Sequence, residues 1–414
     1  MQVAVIGGGV VGVCTAYFLA AEGHEVVVIE RHGNVAEEAS FGHAGLIAPG
    51  NVTPWAAPGM PEKLLSSLFY AESPLQLKPK MERTLWKWLR LWFSECDFAR
   101  FRTNKERMQR VACYSQDILR QIREHYELEF EQTQGLLHIF RNERDTQLLQ
   151  TTLELLSSYE LPYKVLDADA ARLIEPALAT TTPFASALHL PNDGAGNCAL
   201  FTKQLKSIAQ SIGVEFYFNS VVSQIHSDHY KVSLQVDAKE FTADAVVIAA
   251  GTESAQLLKS LGISIPLYPI KSYSATASIK NFDEAPNGVI VDEAYKVGIA
   301  RMGTRIRISG AAELGSHDAT LRDAAISTLI KVSDDWFPVA SNYRNASFWS
   351  GTRAMLPDGV PLLGATPIKG VYVNAGHGAT GWTMAMGAGK VVSDIVSGHT
   401  PDIDMSGLTL SRYQ

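Results

Sequence analysis

Cysteine is scarce in this 414-residue chain. There are four, Cys14, Cys96, Cys113 and Cys198, with no C-x-x-C pair and no Cys/His spacing suited to zinc or an iron–sulfur cluster. We therefore expect no metal and no disulfide framework, and read the thiols as reduced and mostly buried, as in a cytosolic protein. A surplus of basic residues is also missing. Lys and Arg number 36 against 43 Asp and Glu, a formal charge of −7, which removes the global basic surface expected of a nucleic-acid binder. Internal repeats and low-complexity tracts are absent. The uncharged run of residues 3–21 is long enough for a membrane helix or a secretory leader, but it is broken by glycines. It starts as a strand at residue 2 and leads to an acid at residue 30, so neither reading fits. The N-terminus is expected to stay on a cytoplasmic protein.

What is present is a soluble globular composition, 46% apolar with a mean hydropathy of +0.00, in a chain long enough for two domains. Near the start, "VAVIGGGVVGVCTAYFLAAEGHEVVVIE" (residues 3–30) runs strand, turn, helix, strand. Gly7, Gly9 and Gly12 stand in G-x-G-x-x-G order, and a carboxylate at Glu30 closes the second strand, where it can meet a ribose hydroxyl pair. Gly7, Gly9, Val10, Val11, Gly12, Glu30 and Arg31 are the expected dinucleotide contacts. Near the other end, "VNAGHGATGWTMAMGAGKVVSDIV" (373–396) is a second strand that breaks at Gly376-His377-Gly378 and enters a helix of small residues. A glycine turn opening a helix presents free amides and the positive end of a dipole, a setting for an anion. The ordinary alternative is a strand–helix corner whose glycines serve packing.

Between these turns the pattern predicts a long functional loop over 39–61, helices over about 81–126 and 143–158, and short strands at 135, 163 and 185. Asn197 is placed to cap a helix from about 198 to 212. A strand pair follows, then the apolar strand ending at Gly251, antiparallel strands over 266–310, and a helix near 317–333. The predicted fold class is α/β plus α+β. A Rossmann-like nucleotide-binding domain is assembled from 1–60, 165–265 and 340–414, with an antiparallel-sheet substrate domain inserted as 61–164 and 266–339.

Six stretches in order, "GGGVVG" with Glu30, "SFGHAGLIAPG", "PIKSYS", "DEAYKVGIARMGTRIRISGAAEL", "WSGTRAMLPDGVPLLG" and "NAGHGATGWT", span residues 1 to about 400. Together they resemble the FAD-dependent D-amino acid dehydrogenase family, within the D-amino acid and glycine oxidase superfamily. The resemblance implies non-covalent FAD and oxidative deamination of a D-amino acid, with hydride passing from Cα to flavin N5. It places Ser40, Gly42, His43, Ala44, Gly45, Leu46, Val222, Ala250 and Gly251 at the cofactor, together with Gly376, His377, Gly378, Thr380, Gly381, Trp382 and Thr383. In this reading the second turn faces the flavin ring. Arg353 is implied as the carboxylate-binding guanidinium, with Tyr295 and more weakly Tyr273 beside it, and His43 and His377 at the reaction centre without a general-base duty. The chain departs from the family pattern at His43, commonly Asn, at Ala354, commonly Pro, and at Ser272, commonly Gly.

The same resemblance leaves room for a D-proline or D-hydroxyproline dehydrogenase and for an oxygen-using oxidase. Other classes also stay open: a catalytically silent flavin-bound subunit, or an NAD-dependent dehydrogenase. A quinone or another acceptor is expected to take the electrons. Residues 78–110 hold ten Lys/Arg against four Asp/Glu, with Trp86, Trp88 and Trp92. That composition suits peripheral contact with the inner face of a membrane. It suits equally a helix docked on the substrate domain with a solvated basic edge.

Overall fold

The computed structural model describes residues 1–66, 75–78, 82–228 and 231–413. Its first layer is a six-stranded sheet. Gln2–Ile6 lies at its centre, flanked by Glu25–Ile29 and then Glu215–Tyr217 on one side, and by Ala245–Ile248, Val371–Ala375 and Leu362–Ala365 on the other. All neighbours run parallel except the last pair. The central strands are continuous apolar runs because both faces are covered. Val3, Val5, Val26, Val28, Ala245 and Val247 point to one face, into a core with the helices Val10–Ala21, Phe98–Tyr126, Cys198–Ser211 and Gly381–Ser397. Ala4, Ile6, Val27, Ile29, Val246 and Ile248 point to the other, against a three-stranded antiparallel sheet of Val222–Ser227, Val232–Val236 and Lys239–Ala243.

The second layer is a ten-stranded sheet. Its main path runs Ser347–Met355, Tyr268–Ser278, Arg305–Leu314, Val297–Met302, Val289–Asp292, Thr133–Phe140, Ser186–Ala195, Leu46–Ile47. It is mostly antiparallel, as the alternation predicts, but Val289–Asp292 pairs with Thr133–Phe140 in parallel, and Arg305–Leu314 with Leu75–Leu77 likewise. The helix Asp323–Trp336 packs on this sheet in a separate core. It begins at Asp323 rather than near 317 because the preceding loop is drawn to a buried lysine. Lys271 Nζ donates to Asp318 Oδ1 at 2.8 Å and to the Thr320 carbonyl at 2.6 Å.

The helical stretch expected over 81–126 is two helices, Arg83–Glu95 and Phe98–Tyr126. Asp97 starts the second, its Oδ1 accepting from the amides of Ala99 and Arg100 at 3.0 and 3.1 Å. Residues 79–81, at the front of that stretch and of the basic segment, lie outside the described residues. Asn197 caps Cys198–Ser211, its Oδ1 accepting from the Leu200 amide at 3.1 Å. Several elements cross the expected domain division. Leu46–Ile47, Ser186–Ala195 and Ser347–Met355 pair into the larger sheet, and Phe98–Tyr126 packs on the nucleotide-side helices. The division by residue ranges thus stays a proposal, with these elements joining the two layers.

Candidate active site

The first glycine turn is shaped by backbone crowding. Gly7 has φ +110°, and a Cβ there would stand 2.5 Å from the Ala249 carbonyl oxygen; one on Gly12 would stand 1.9 Å from that of Gly7. Only glycine lets strand, turn and helix approach this closely. Glu30 lies just behind, buried, its carboxylate accepting from the Gly8 amide at 2.5 Å and the His32 amide at 2.8 Å. Ser40 Oγ accepts from the Val10 amide at 3.1 Å, at the start of the helix. Arg31 pairs with Glu38, and at 3.6 Å with Glu253. Gly7, Gly9, Val10, Val11, Glu30, Arg31, Ser40, Val222, Ala250 and Gly251 all line one cavity at the ends of the parallel strands, the position where open α/β sheets receive ligands. Gly12 lines it only through the turn it permits.

The second turn reaches the same cavity. Gly376, His377, Gly378, Gly381 and Trp382 are on its wall with Asn374. Three buried polar atoms among these residues have no partner among the described residues: Asn374 Oδ1, His377 Nε2 and Trp382 Nε1. Sequence reading passed over Asn374, whose Nδ2 donates to Thr15 Oγ1 at 2.9 Å and so fixes the side chain. Gly376 and Gly378 have positive φ, and a Cβ on either would meet Leu356 or Met355 at 2.3 Å. Their immediate reason is therefore packing. Further along, Gly387 and Gly389 bring the helix onto the backbone of Ser115 and Cys14.

A second cavity lies on the larger sheet, walled also by Phe101 and Lys105 of the helix Phe98–Tyr126, and His43 and Arg353 line both cavities. His43 ties the 40–46 loop to the C-terminal turn. Its Nδ1 accepts from the Gly45 amide at 2.9 Å, so Nε2 carries the hydrogen and donates to the Ala379 carbonyl at 3.2 Å. Burial, then the charges of Arg353 and Arg307, press its pKa down to about 3. His377 is lowered to about 4 by burial. Both rings are neutral at physiological pH. Arg307 Nη1 donates to the carbonyls of Phe41 and His43 at 3.0 and 3.4 Å, holding the same loop from the opposite side. Ala44, Leu46, Thr380 and Thr383 face the second cavity, and Thr383 Oγ1 donates to the Leu46 carbonyl at 3.0 Å. Gly42 and Gly45 line neither cavity. Their missing side chains make room for the Trp349 ring and the Met302 methyl.

Arg353, on the strand Ser347–Met355, is enclosed, and burial lowers its pKa to about 10. Its Nη2 donates to Ser309 Oγ at 3.1 Å, and no carboxylate pairs with it among the described residues. A guanidinium kept charged at that cost, facing a cavity, is prepared for an anion brought by a ligand.

The two tyrosines lie off both cavities. Tyr295 lines neither cavity; its hydroxyl accepts from Lys331 Nζ at 3.0 Å and its ring lies under Arg141 and Lys331. Lys296, next in the chain with φ +52°, turns into the cavity instead. Tyr273 is fully buried in the core of the larger sheet, with the Lys271 ammonium 5.2 Å above its ring. Strand alternation puts the Tyr273 hydroxyl away from the site, and the turn between Val289–Asp292 and Val297–Met302 does the same for Tyr295. In their place the second cavity presents Lys105, His138, Glu293 and Lys296. Burial alone would push the Glu293 carboxyl up, but the Lys296 ammonium and the His138 ring, 2.7 Å away, hold it well below the usual range. Glu293 and Lys296 stand in the quoted "DEAYKVGIAR" stretch. Their opposite charges flanking the tyrosine were the available signal.

The residues of the first cavity fit a dinucleotide: a glycine cradle that any Cβ would fill, a carboxylate closing the second strand, and orphaned polar atoms at the end nearer Arg353. A model of the family described as FAD dependent oxidoreductase matches residues 2–395. A D-amino acid dehydrogenase of Bradyrhizobium diazoefficiens is 41% identical over 100% of this chain and 99% of its own. One from Neisseria meningitidis serogroup C is 42% identical over the whole of both. Among solved structures, glycine oxidase from Geobacillus kaustophilus superposes with a TM-score of 0.78 at 22% identity, over 100% of this chain and 99% of that one. L-proline dehydrogenase from P. horikoshii gives 0.78 at 18%, over 100% and 97%. At that identity the two structures speak for the fold alone.

Proposed function

We propose that this chain, which belongs to the FAD dependent oxidoreductase family, dehydrogenates D-amino acids to imino acids that water converts to 2-keto acids and ammonia. Relatives named D-amino acid dehydrogenase at 41 and 42% identity over the full length support the substrate class and its handedness. The observation that carries the reading is Arg353, a half-buried guanidinium with no carboxylate partner among the described residues, at the junction of the two cavities. Non-covalently held FAD supplies the two-electron, hydride-accepting chemistry.

The chain's own part is positioning. Arg353, steadied by Ser309, takes the α-carboxylate in a fork and so fixes the direction of the Cα–H bond. His43 and Arg307 hold the loop that forms the opposite wall. With both nitrogens bonded to backbone, His43 has no lone pair for a substrate proton. His377 Nε2 is unengaged and offers one hydrogen-bonding position to a ligand in the first cavity. Walls of Val52, Trp55, Phe101, Phe140 and Leu188 exclude water from the second cavity. Replacing Arg353 by Ala is expected to lower kcat/KM by roughly 30- to several-thousand-fold, the ~2–5 kcal/mol of a severed buried charge contact, with FAD still bound. Unchanged turnover contradicts the reading.

The reading extends to the electron acceptor, a quinone reached at the inner face of the cytoplasmic membrane. In its support, Arg83, Trp86, Lys87, Arg90 and Phe93 are exposed on one face of Arg83–Glu95, while Leu85, Trp88, Leu89 and Trp92 are buried on the other. No helix among the described residues is long and apolar enough to cross a membrane. Sedimentation with vesicles containing anionic lipid is the test. Binding at low salt that Lys87→Glu with Arg90→Glu abolishes supports contact; protein left in the supernatant contradicts it.

A further inference from the structure

The second cavity is joined to the surface by a polar stripe on one helix. Lys105, Gln109, Cys113, Gln116 and Arg120 succeed one another at three- and four-residue spacing on Phe98–Tyr126, and so share a face. Lys105, 2% exposed, is on the wall of the cavity, and its Nζ donates to the Val52 carbonyl at 2.5 Å. Gln109, fully buried, donates to the Pro49 carbonyl and lies 3.6 Å from Cys113 Sγ, with its own Oε1 unpartnered. Gln116 donates to the Asn192 carbonyl at 2.7 Å. Gln116, Arg120 and Arg123 line a separate recess that opens at the surface, and Asp193 is on its wall. Asp193 is 3% exposed; Oδ1 accepts from the Gly50 amide at 3.0 Å, and the Asn51 amide also faces the carboxylate. Lys105 and Asp193 thus hold two ends of one short turn, and beyond that turn lie the cavity on one side and the recess on the other.

Buried, incompletely satisfied polar groups are costly to fold and call for a reason. The reaction offers one. A D-amino acid enters as R–CH(NH3+)–COO−. Its nitrogen must lose one proton before the Cα–H bond breaks with both electrons passing to bound FAD, leaving R–C(=NH2+)–COO−. One proton per turnover has to leave a cavity in which both His43 nitrogens are bonded to backbone and His138 is already paired with Glu293 at 2.7 Å.

Resting on the proposed reaction, we propose that Lys105 and Asp193, bonded to the two ends of one short turn, form the route by which this proton passes from the substrate cavity to the outer recess. Lys105 accepts on its neutral amine, Asp193 on its carboxylate, and the recess returns the proton to water. Their surroundings suit the exchange. Burial lowers Lys105 to about 8, with the charges of Asp193 and Glu293 opposing it and that of Lys296 adding to it. Burial raises Asp193 to about 7 against the Gly50 and Asn51 amides and Lys105. The Cys113 thiol beside them is pushed up by burial and stays protonated. Lys105 takes the proton in the substrate cavity, and Asp193 is a conducting residue behind it.

The test mixes Asp193→Asn and Lys105→Met holoenzymes anaerobically with D-alanine and follows flavin bleaching from about pH 6 to about pH 10. Near pH 7 bleaching is expected to slow by about 100-fold, the low end of a proton-transfer contribution. The deficit should shrink as pH rises, the KM should hold, and added imidazole should restore part of the rate. Coincident pH profiles for wild type and Asp193→Asn overturn the route. A second measurement needs neither substrate nor an intact variant. The infrared spectrum of the wild-type holoenzyme should show a protonated-carboxyl band at about pH 6 that is gone by about pH 9, and its absence at both overturns the route as well. Wild type that D-alanine never bleaches, with that band present, contradicts the proposed substrate and spares the pair's titration.

Discussion

The two glycine turns look alike as strand, turn and helix, yet they are held by different forces. The first is closed by its own backbone: Gly12 under the Gly7 carbonyl, Gly7 under that of Ala249. The second is closed by side chains from elsewhere, Leu356 and Met355 under Gly376 and Gly378, and His43 bonded to Ala379. A turn set by backbone contact tolerates almost nothing. One set by side chains can adjust, and it is the adjustable turn that faces both cavities. The difference separates a rigid anchor for the nucleotide from a surface that other residues tune.

Substitutions should expose that difference in graded steps. Gly12→Ala puts a methyl into backbone and is expected to cost at least ~3 kcal/mol in unfolding free energy and to abolish FAD retention. Gly376→Ala meets positive φ and a movable Leu356, so about 2 kcal/mol with partial FAD retention is expected from denaturant titration. Equal losses at the two positions would erase the distinction.

A pH difference sharpens it. His377 in the second turn and His43 bonded to it have folded pKa values near 4 and 3, below the unfolded 6.5. As pH falls from about 6.5 toward 4, the unfolded chain binds protons that the folded one refuses. Each histidine therefore removes up to ~1.4 kcal/mol of stability per pH unit in that window. Asp193, raised to about 7 from 3.8, acts oppositely by losing stability as pH rises through 3.8 to 7, so the comparison must be wild type against His377→Asn. The variant's curve should be flatter at acid pH; parallel curves would mean that His377 is not buried neutral. The smallest effects on stability belong to positions where the altered group meets no backbone. Gly381→Ala, already helical, should stay within ~0.5 kcal/mol. Tyr295→Phe should cost less than about 1 kcal/mol and leave kcat/KM unchanged, since its hydroxyl serves only Lys331.

The first turn was legible in the sequence because its contacts are local: glycine spacing, an apolar strand on each side, and an acid closing the second. The larger sheet was legible as alternation, though not its two parallel pairs, which join strands distant in sequence. Arg353 and His43 were candidates from the sequence, but their meeting at the boundary of two cavities depends on the 309 residues folded between them. Tyr295 was misplaced because a single residue of turn geometry, φ +52° at Lys296, decides which neighbour faces inward. Asp193, Gln109 and Asn374 gave no signal, since burial of a lone polar residue is a property of packing rather than of any local pattern.

The most direct test of the central claim is the visible spectrum of the purified protein under anaerobic conditions, with D-alanine, D-proline and D-hydroxyproline and their L forms added in turn. The account predicts a flavin band that D forms bleach and L forms do not, with bleaching lost in Arg353→Ala while the band remains. A flavin band that no amino acid bleaches, or one bleached equally by L forms, would contradict it.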